Sequence, residues 1–287
     1  MNIYLRLLTV AFVWGGTFIA TRAAAQYLAP FAGAFLRFLF ASAGLLALML
    51  LQQKPWPRPG RRMLLHLTGM ALTGIIAYNY FFFSALKILP ASRASLLVAL
   101  NPVMVLFAAA LFFGETLRWV KVLGGLLALF GAVVVISRGD LGHIFDHFGP
   151  GEALALGCPA TWAVYTLLSR HASGDGFTPL VTTTYVCLFG TLGLFPLALL
   201  DGLPLWALPA RIWGALAYLG LLGTVLGFVW YAEGIRTIGA TRTAIFNNLV
   251  PVFGVLLSVL LLGETVSWVV VGGGLFVVLG VAVINFL

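Results

Sequence analysis

The segment GETLRW at residues 114–119 recurs as GETVSW at residues 263–268, and each copy follows a long apolar run. Sliding the chain along itself by 149 residues aligns 85–135 with 234–284 without a gap, and 17 of these 51 positions are identical. The chain therefore contains an internal duplication. Because the segment recurs at the same place in each copy, the helices of the fold can be counted separately for the two copies.

The composition excludes an ordinary soluble domain. Hydrophobic residues make up 62% of the chain, charged residues 8%, and the mean hydropathy is +1.08, whereas soluble domains carry about 25% charged residues. Apolar runs recur with the roughly 20 residues that a helix needs to cross the hydrocarbon core of a membrane. The net charge of +8 does not indicate nucleic-acid binding, because the basic residues lie in short joints and form no extended patch. The sequence predicts an all-α polytopic membrane protein.

Hydropathy, together with Gly, Pro and charged breaks, predicts ten transmembrane helices. Their expected ranges are 4–24, 30–51, 64–87, 92–113, 117–137, 151–171, 178–200, 211–235, 241–262 and 265–287. Ten Lys and Arg residues fall in joints on the N-terminal side and five on the other side, which predicts that both termini are cytoplasmic. The five residues on the outer side are Arg22, Lys87, Arg93, Arg138 and Arg211.

The duplication divides the chain into two five-helix repeats, 1–146 and 147–287. At a shift of 148, Trp14 aligns with Trp162, so the first helix is the counterpart of the sixth. Because five is an odd number, the second repeat is expected to enter the membrane from the opposite side. Two inverted halves can rock about a central site and expose it alternately, an arrangement typical of secondary transporters. The alternative is that the duplication only built a larger bundle.

Five segments of the chain resemble the ten-helix drug/metabolite transporter (DMT) superfamily, and in particular its EamA-type branch of bacterial metabolite exporters. They are WGGTF in the first helix, LRF in the second, SRASLLVALNPV in the fourth, the two GET joints, and TRTAIFNNLVPVFG in the ninth. The resemblance covers essentially the whole chain. It implies a permease of the bacterial inner membrane, often an exporter of amino acids or related metabolites. It also implies a central cavity lined by helices one, three, four, six, eight and nine.

The first helix carries a polar and aromatic face. Trp14, Thr17 and Thr21 are spaced i, i+3, i+7, and their repeat counterparts are Trp162, Tyr165 and Ser169. Such a face fits a cavity wall, since hydroxyls facing lipid would lack partners, although Thr and Ser are also common where helices pack. The candidate substrate-binding residues are Trp14, Thr17, Tyr78, Asn101, Trp162, Tyr165, Tyr231, Asn247, Asn248 and Arg37.

Pro102 and Pro251 lie near the centres of the fourth and ninth predicted helices. A proline there removes one backbone hydrogen bond and frees the carbonyl four residues earlier. We expect both prolines to act as hinges, and a static kink is the alternative interpretation.

Arg37 is the one basic residue that lies well inside a predicted span and away from the joints, and an intramembrane cation is by default a functional hypothesis. It can meet a substrate carboxylate, pair with Glu152 at the start of the sixth helix, or extend to the outer surface. We favour the pair with Glu152 and keep Arg37 among the binding candidates.

The GET segments are predicted to be joints, in which Gly ends one helix and Glu-Thr caps the next. Glu115 is expected on the cytoplasmic side and Glu264 on the opposite side. The fifth and tenth helices also carry small-residue stripes for close packing, formed by Gly124, Gly131, Gly273 and Gly280.

The acidic residues restrict the substrate, because all eight lie at joints or helix ends. Without a carboxylate at mid-membrane, a cationic drug has no counter-ion, and a multiply phosphorylated substrate would need more core cations than Arg37. A neutral or zwitterionic metabolite held by aromatic walls fits best. The sequence thus predicts a secondary transporter of amino acids or derivatives that works by alternating access.

No enzyme is predicted, because the histidines lie in joints and loops and no buried nucleophile–base constellation is evident. We expect no cofactor, no metal and no nucleic-acid partner, and a monomer or weak homodimer in the lipid bilayer. The alternatives are a lipid-handling, scramblase-like or other non-catalytic membrane protein, or an exporter of other small organic compounds.

Overall fold

The computed structural model describes residues 2–53, 56–114, 118–138, 140, 147–171 and 177–286. Its regular elements are helices, which confirms the all-α class, and apart from the short 3₁₀ helix Leu205–Ala207 they form ten segments in chain order. The first five are α1 (Ile3–Ala25), α2 (Pro30–Leu51), α3 (Arg61–Ile88), α4 (Ala91–Val98 and Asn101–Phe113) and α5 (Trp119–Ser137). The second five are α6 (Pro150–His171), α7 (Pro179–Asp201), α8 (Ala210–Ile238), α9 (Ala240–Leu262, in three parts) and α10 (Trp268–Phe286).

Within the described ranges, nine helices are long and apolar enough to cross a membrane. The chain is thus a multi-pass membrane protein. The helix Pro150–His171 is not one of the nine, because polar residues such as Glu152 lower its hydropathy. A tenth crossing therefore stays a prediction.

Two helices contain a π-helical segment in their middle, Ala71–Ala77 in α3 and Tyr218–Leu226 in α8. These segments occupy corresponding places in the two halves of the chain. Hydropathy predicted both helices as continuous, because it cannot detect a π turn. A π turn is rare, often lies at a functional site, and changes which residues face the same side.

The two helices that contain the predicted hinge prolines are each interrupted just before the proline. A turn at Ala99 and Leu100 divides α4, and the 3₁₀ turn Ile245–Asn248 divides α9. Pro102 therefore lies in the first turn of a new helix, where its missing N–H removes no intrahelical bond. The two predicted spans are present, but each proline lies in the first turn after an interruption and not near the centre of an unbroken helix. The hinge role of the prolines stays a prediction.

The helices α5 and α10 pack backbone against backbone through their glycines. A Cβ on Gly280 would lie 2.4 Å from the carbonyl oxygen of Gly124, and one on Gly131 would lie 2.5 Å from that of Gly273. The beginning of α5 thus contacts the end of α10, and the end of α5 contacts the beginning of α10, so the two helices are antiparallel. The small-residue stripes predicted from the sequence form this contact.

The contact between α2 and α7 has the same symmetry. The hydroxyls of Ser42 and Thr191 are hydrogen bonded at 2.9 Å, and the two residues are 149 positions apart. A residue that contacts its own repeat counterpart is expected where a twofold axis relates two units. Together with the antiparallel α5 and α10, this pair supports an inverted repeat, although the membrane orientation of the whole chain stays a prediction.

Cysteines introduced one at a time at the two GET joints can test the orientation. We expect Arg118→Cys and Thr265→Cys, both at exposed positions, to react with a membrane-impermeant maleimide from opposite faces of the membrane. The native thiols Cys158 and Cys187 are buried and will add little background. Labelling of both positions in intact spheroplasts would show that the halves are not inverted.

A buried ion pair joins α4 to α6. Nη2 of Arg93 lies 2.7 Å from Oε1 of Glu152, and the two side chains are only 9% and 5% exposed. The predicted pair between Arg37 and Glu152 is therefore wrong, since Glu152 is already neutralised by Arg93. The sequence count also placed Arg93 in an outer joint, whereas it lies inside the first turn of α4.

The second GET segment caps a helix other than the one predicted. Glu264 accepts hydrogen bonds from the backbone N–H groups of Ala91 (2.7 Å) and Ser92 (3.0 Å), at the start of α4. It thus ties the α9–α10 joint to the first half of the chain instead of capping α10. Gly114 and Gly263 end their helices at φ +63° and +66°, as predicted. Glu115 lies outside the described residues.

Candidate functional site

A central cavity of about 590 Å³ lies between helices from both halves of the chain. All ten candidate substrate-binding residues line it, as do both candidate hinge prolines. The lining includes the helices expected from the family resemblance and adds residues of α2, α7 and α10. These candidates are Trp14, Thr17, Arg37, Tyr78, Asn101, Pro102, Trp162, Tyr165, Tyr231, Asn247, Asn248 and Pro251.

One part of the wall is an aromatic cluster between α1 and α8. The ring centroid of Trp14 lies 5.3 Å from that of Tyr231 and 6.1 Å from that of Phe228. The indole N–H of Trp14 donates to the carbonyl of Gly223 at 2.8 Å. Because the hydrogen bond and the two ring contacts fix the indole, Trp14 presents an apolar surface of constant orientation to the cavity.

The repeat counterpart of this cluster lies between α6 and α3. The ring of Trp162 stacks on Tyr165 at 4.8 Å and contacts Tyr78 at 5.6 Å, and Tyr78 stacks on Phe82 at 5.7 Å. The two tryptophans thus form matching aromatic walls, one in each half of the chain.

The π-helical segments supply carbonyl groups to side chains of the wall. Gly223, which accepts from Trp14, belongs to the π segment of α8. Ile75, in the π segment of α3, accepts from Nδ2 of Asn79 at 2.8 Å. In both halves, a local departure from α-helical bonding thereby fixes a polar side chain beside the cavity.

Arg37 enters the cavity from α2 and contacts α3. Its Nη1 donates to Oδ1 of Asn79 at 2.9 Å, while its Nε has no hydrogen-bond partner among the described residues. Asn79 was not selected from the sequence, because Tyr78 and Asn79 are successive residues and an α-helix would turn one of them away. Both line the cavity, and Tyr80 points outward.

Three asparagines add amide groups where α4 and α9 are interrupted. Nδ2 of Asn247 donates to the hydroxyl of Tyr231 at 2.9 Å, and Oδ1 of Asn248 accepts from Asn285 of α10 at 3.3 Å. Oδ1 of Asn101 is buried without a hydrogen-bond partner among the described residues. The three amides thus differ, because among them only Asn101 has a buried acceptor without a partner among the described residues.

The described residues that line the cavity include no carboxylate. Four acidic side chains are engaged elsewhere. Glu152 pairs with Arg93, Glu233 pairs with Arg6, Asp201 accepts from the backbone of Phe31, and Glu264 caps α4. The site therefore combines aromatic faces, hydroxyls and amides with one cation, which suits a small organic molecule that carries an anionic or neutral polar group.

Several residues of the wall were missed by the sequence analysis. Thr166 of α6, Thr183 of α7 and Ser95 of α4 contribute hydroxyls to the lining. A hydroxyl residue in an apolar span carries no sign that it faces a cavity instead of a neighbouring helix, so the sequence offers no way to choose these three.

Comparisons with known proteins agree with this architecture. The model of the EamA-like transporter family matches residues 1–137 and 149–286. The chain is 31% identical to the uncharacterized transporter YyaM of Bacillus subtilis, over 98% of this chain and 92% of that protein. It is 28% identical to a probable terminal-alkyne amino-acid exporter of Streptantibioticus cattleyicolor, over 79% and 75% of the two chains. It is 29% identical to the aromatic amino acid exporter YddG of Ancylobacter novellus, over 72% and 68%.

Proposed function

Because the chain belongs to the EamA-like transporter family, we propose that it exports small zwitterionic or neutral metabolites, above all amino acids, by alternating access. Its membership makes it a membrane transporter and not an enzyme. The substrate class, the direction of transport and the inverted arrangement of the halves are part of the proposal.

The observation that carries the proposal is the cavity itself. Its volume of about 590 Å³ accommodates a molecule of amino-acid size, and it lies between matching aromatic walls from the two halves of the chain. The aromatic surface binds the apolar side chain of an amino acid, whereas the amides, hydroxyls and Arg37 bind its polar amino and carboxyl groups. Two relatives whose names describe export of amino acids support the choice of substrate.

Alternating access is supported by the matching interruptions of two helices, one in each half of the chain. The interruptions of α4 and α9 fall on the cavity wall, at Asn101–Pro102 and at Asn247–Asn248. A short 3₁₀ stretch or a break within a helix often marks a hinge. We propose that bending at these two places exposes the cavity to one side of the membrane at a time. The same proposal places the protein in the bacterial inner membrane with cytoplasmic termini, as a monomer or weak homodimer.

Transport by tryptophan variants tests the assignment of the cavity. In proteoliposomes, we expect the wild-type protein to carry radiolabelled amino acids from a broad panel. Trp162→Ala is expected to reduce this flux about tenfold, because it removes an indole of the cavity wall against which the substrate would pack, and one aromatic contact is worth roughly 0.5–1.5 kcal/mol.

The matched control is Trp206→Ala, which changes a fully exposed tryptophan in the 3₁₀ helix Leu205–Ala207 before α8. It should transport as the wild type does. If both variants transport at the wild-type rate, the cavity is not the transport site. If the wild type carries no amino acid and instead moves fluorescent phospholipid between leaflets, the proposed function is wrong.

A further inference from the structure

Two unsatisfied polar atoms belong to residues of the cavity wall. Among the described residues, four buried side-chain atoms lack a hydrogen-bond partner, and two of these four are Nε of Arg37 and Oδ1 of Asn101. An unmade hydrogen bond on a buried polar group is costly, and each such group in a folded protein requires an explanation. One of the two atoms is a cationic donor and the other is a neutral acceptor.

Arg37 carries a positive charge that nothing in the described wall balances. Its polar partner is the neutral amide of Asn79, and none of the lining residues is acidic. The ion pairs of the described residues are Arg6 with Glu233 and Arg93 with Glu152, so neither involves Arg37. A cation inside a membrane protein is normally paired or used, and here no described residue supplies an acidic partner.

The orientation of the guanidinium is fixed by Asn79. Oδ1 of Asn79 holds Nη1 of Arg37, and Nδ2 of Asn79 is itself bonded to the carbonyl of Ile75 in the π segment. This contact occupies Nη1 and leaves the edge of the guanidinium that contains Nε without a partner among the described residues. That edge can bind a carboxylate through two parallel hydrogen bonds. Asn79 is thus a positioning residue for Arg37.

Asn101 offers the complementary group. It is the first residue after the interruption of α4, and its Oδ1 accepts no hydrogen bond from the described residues. An amide oxygen accepts from an ammonium group without carrying a charge of its own. The aromatic rings of Tyr78 and Trp162 line the same cavity and can stabilise a cation through their faces.

From these contacts, and resting on the proposed function, we propose that the cavity recognises both poles of an α-amino acid. The carboxylate binds the Nε edge of Arg37, the ammonium group binds Oδ1 of Asn101, and the apolar side chain lies against the aromatic walls. The substrate class is therefore zwitterionic amino acids with apolar side chains. Analogues that lack either charged group are poor ligands.

The test compares three ligands on the purified full-length protein in lipid nanodiscs by isothermal titration calorimetry. The ligands are L-phenylalanine, its amide, which lacks the carboxylate, and 3-phenylpropanoate, which lacks the ammonium group. L-Leucine with its amide provides a second series. We expect the wild type to bind each amino acid at least roughly tenfold more tightly than its analogues.

The variants separate the two poles. Arg37→Gln should bring the ratio of acid to amide affinity close to one and leave the preference over 3-phenylpropanoate. Asn101→Leu should do the reverse. Arg37→Lys keeps the charge and should retain part of the preference for the acid. Asn79→Leu, which frees Nη1 of Arg37, should reduce this preference while the charge remains. Arg138→Gln, at an exposed position outside the cavity, should change neither ratio.

Ratios within one variant are used because a misfolded fraction lowers the number of binding sites for both ligands alike and leaves the ratio of their affinities unchanged. If Arg37→Gln cannot be purified, Arg37→Lys and Asn79→Leu decide the question. An unchanged ratio of acid to amide in Arg37→Gln, or in both substitutes, overturns the inference. If the wild type transports amino acids yet binds the amide as tightly as the acid, only the inference fails. If it neither transports nor binds either amino acid, the proposed function fails as well.

Discussion

Gly280→Val is expected to prevent α10 from packing against α5 and to abolish the folded transporter. A Cβ at this position would lie 2.4 Å from the backbone nitrogen of Ala128 and 2.4 Å from the carbonyl oxygen of Gly124. These atoms are backbone and cannot rotate away, so the helices have to separate. The cost exceeds the roughly 1–3 kcal/mol of an ordinary overpacked core, where side chains can adjust. The measurement is the yield and elution position of a fluorescent fusion in size-exclusion chromatography.

Gly272→Val is the matched control, because Gly272 lies on the same helix and a Cβ there would meet nothing within 4 Å. Both variants lose the same glycine and gain the same β-branched side chain, so any difference reports the contact with α5. Gly272→Val should elute as the wild type does. A well-folded Gly280→Val protein would mean that α5 and α10 are not in backbone contact.

Glu152→Gln is expected to lower the free energy of unfolding by about 3–5 kcal/mol, the usual effect of removing one partner from a buried ion pair. Arg93 would keep its charge at a site where its side chain is only 9% exposed. Its remaining hydrogen bond among the described residues goes to the carbonyl oxygen of Ile136 at 3.2 Å, which does not neutralise a cation. The melting temperature of the detergent-solubilised protein measures the effect.

The double variant Arg93→Met with Glu152→Leu provides the control. Because it removes both charges together, it should recover most of the stability that Glu152→Gln loses. Two findings would contradict the assigned pair, namely a Glu152→Gln protein with the wild-type melting temperature or a double variant no better than the single one.

Much of the candidate site was predictable because the repeat marks it. Trp14 and Trp162 were selected as repeat counterparts on a polar helix face, and both line the cavity. The asparagines were selected because they lie near Pro102 and Pro251 in otherwise apolar spans, and Asn101, Asn247 and Asn248 line the cavity too. In each case a polar or aromatic residue stood out from an apolar background, which is the signal that a sequence can carry.

The rest depends on contacts between residues that are distant in sequence. Arg93 looked like a joint residue because hydropathy does not show that Glu152, on another helix, lies close enough to neutralise it. Glu264 looked like a cap for the helix that follows it, whereas the fold brings the start of α4 closer. Asn79 was missed because the π segment before it changes the direction of its side chain. A π turn cannot be predicted from a residue pattern.

The glycine contact between α5 and α10 also has a mechanical consequence. Where backbone touches backbone, no change of rotamer can lengthen or shorten the distance between two helices. We therefore expect α5 and α10 to move as one rigid body, joined to the cavity wall through Val278 and Val281. Access to the cavity then has to change through displacement of the remaining helices relative to this rigid pair, which makes α5 and α10 the natural frame of reference for measuring the motion.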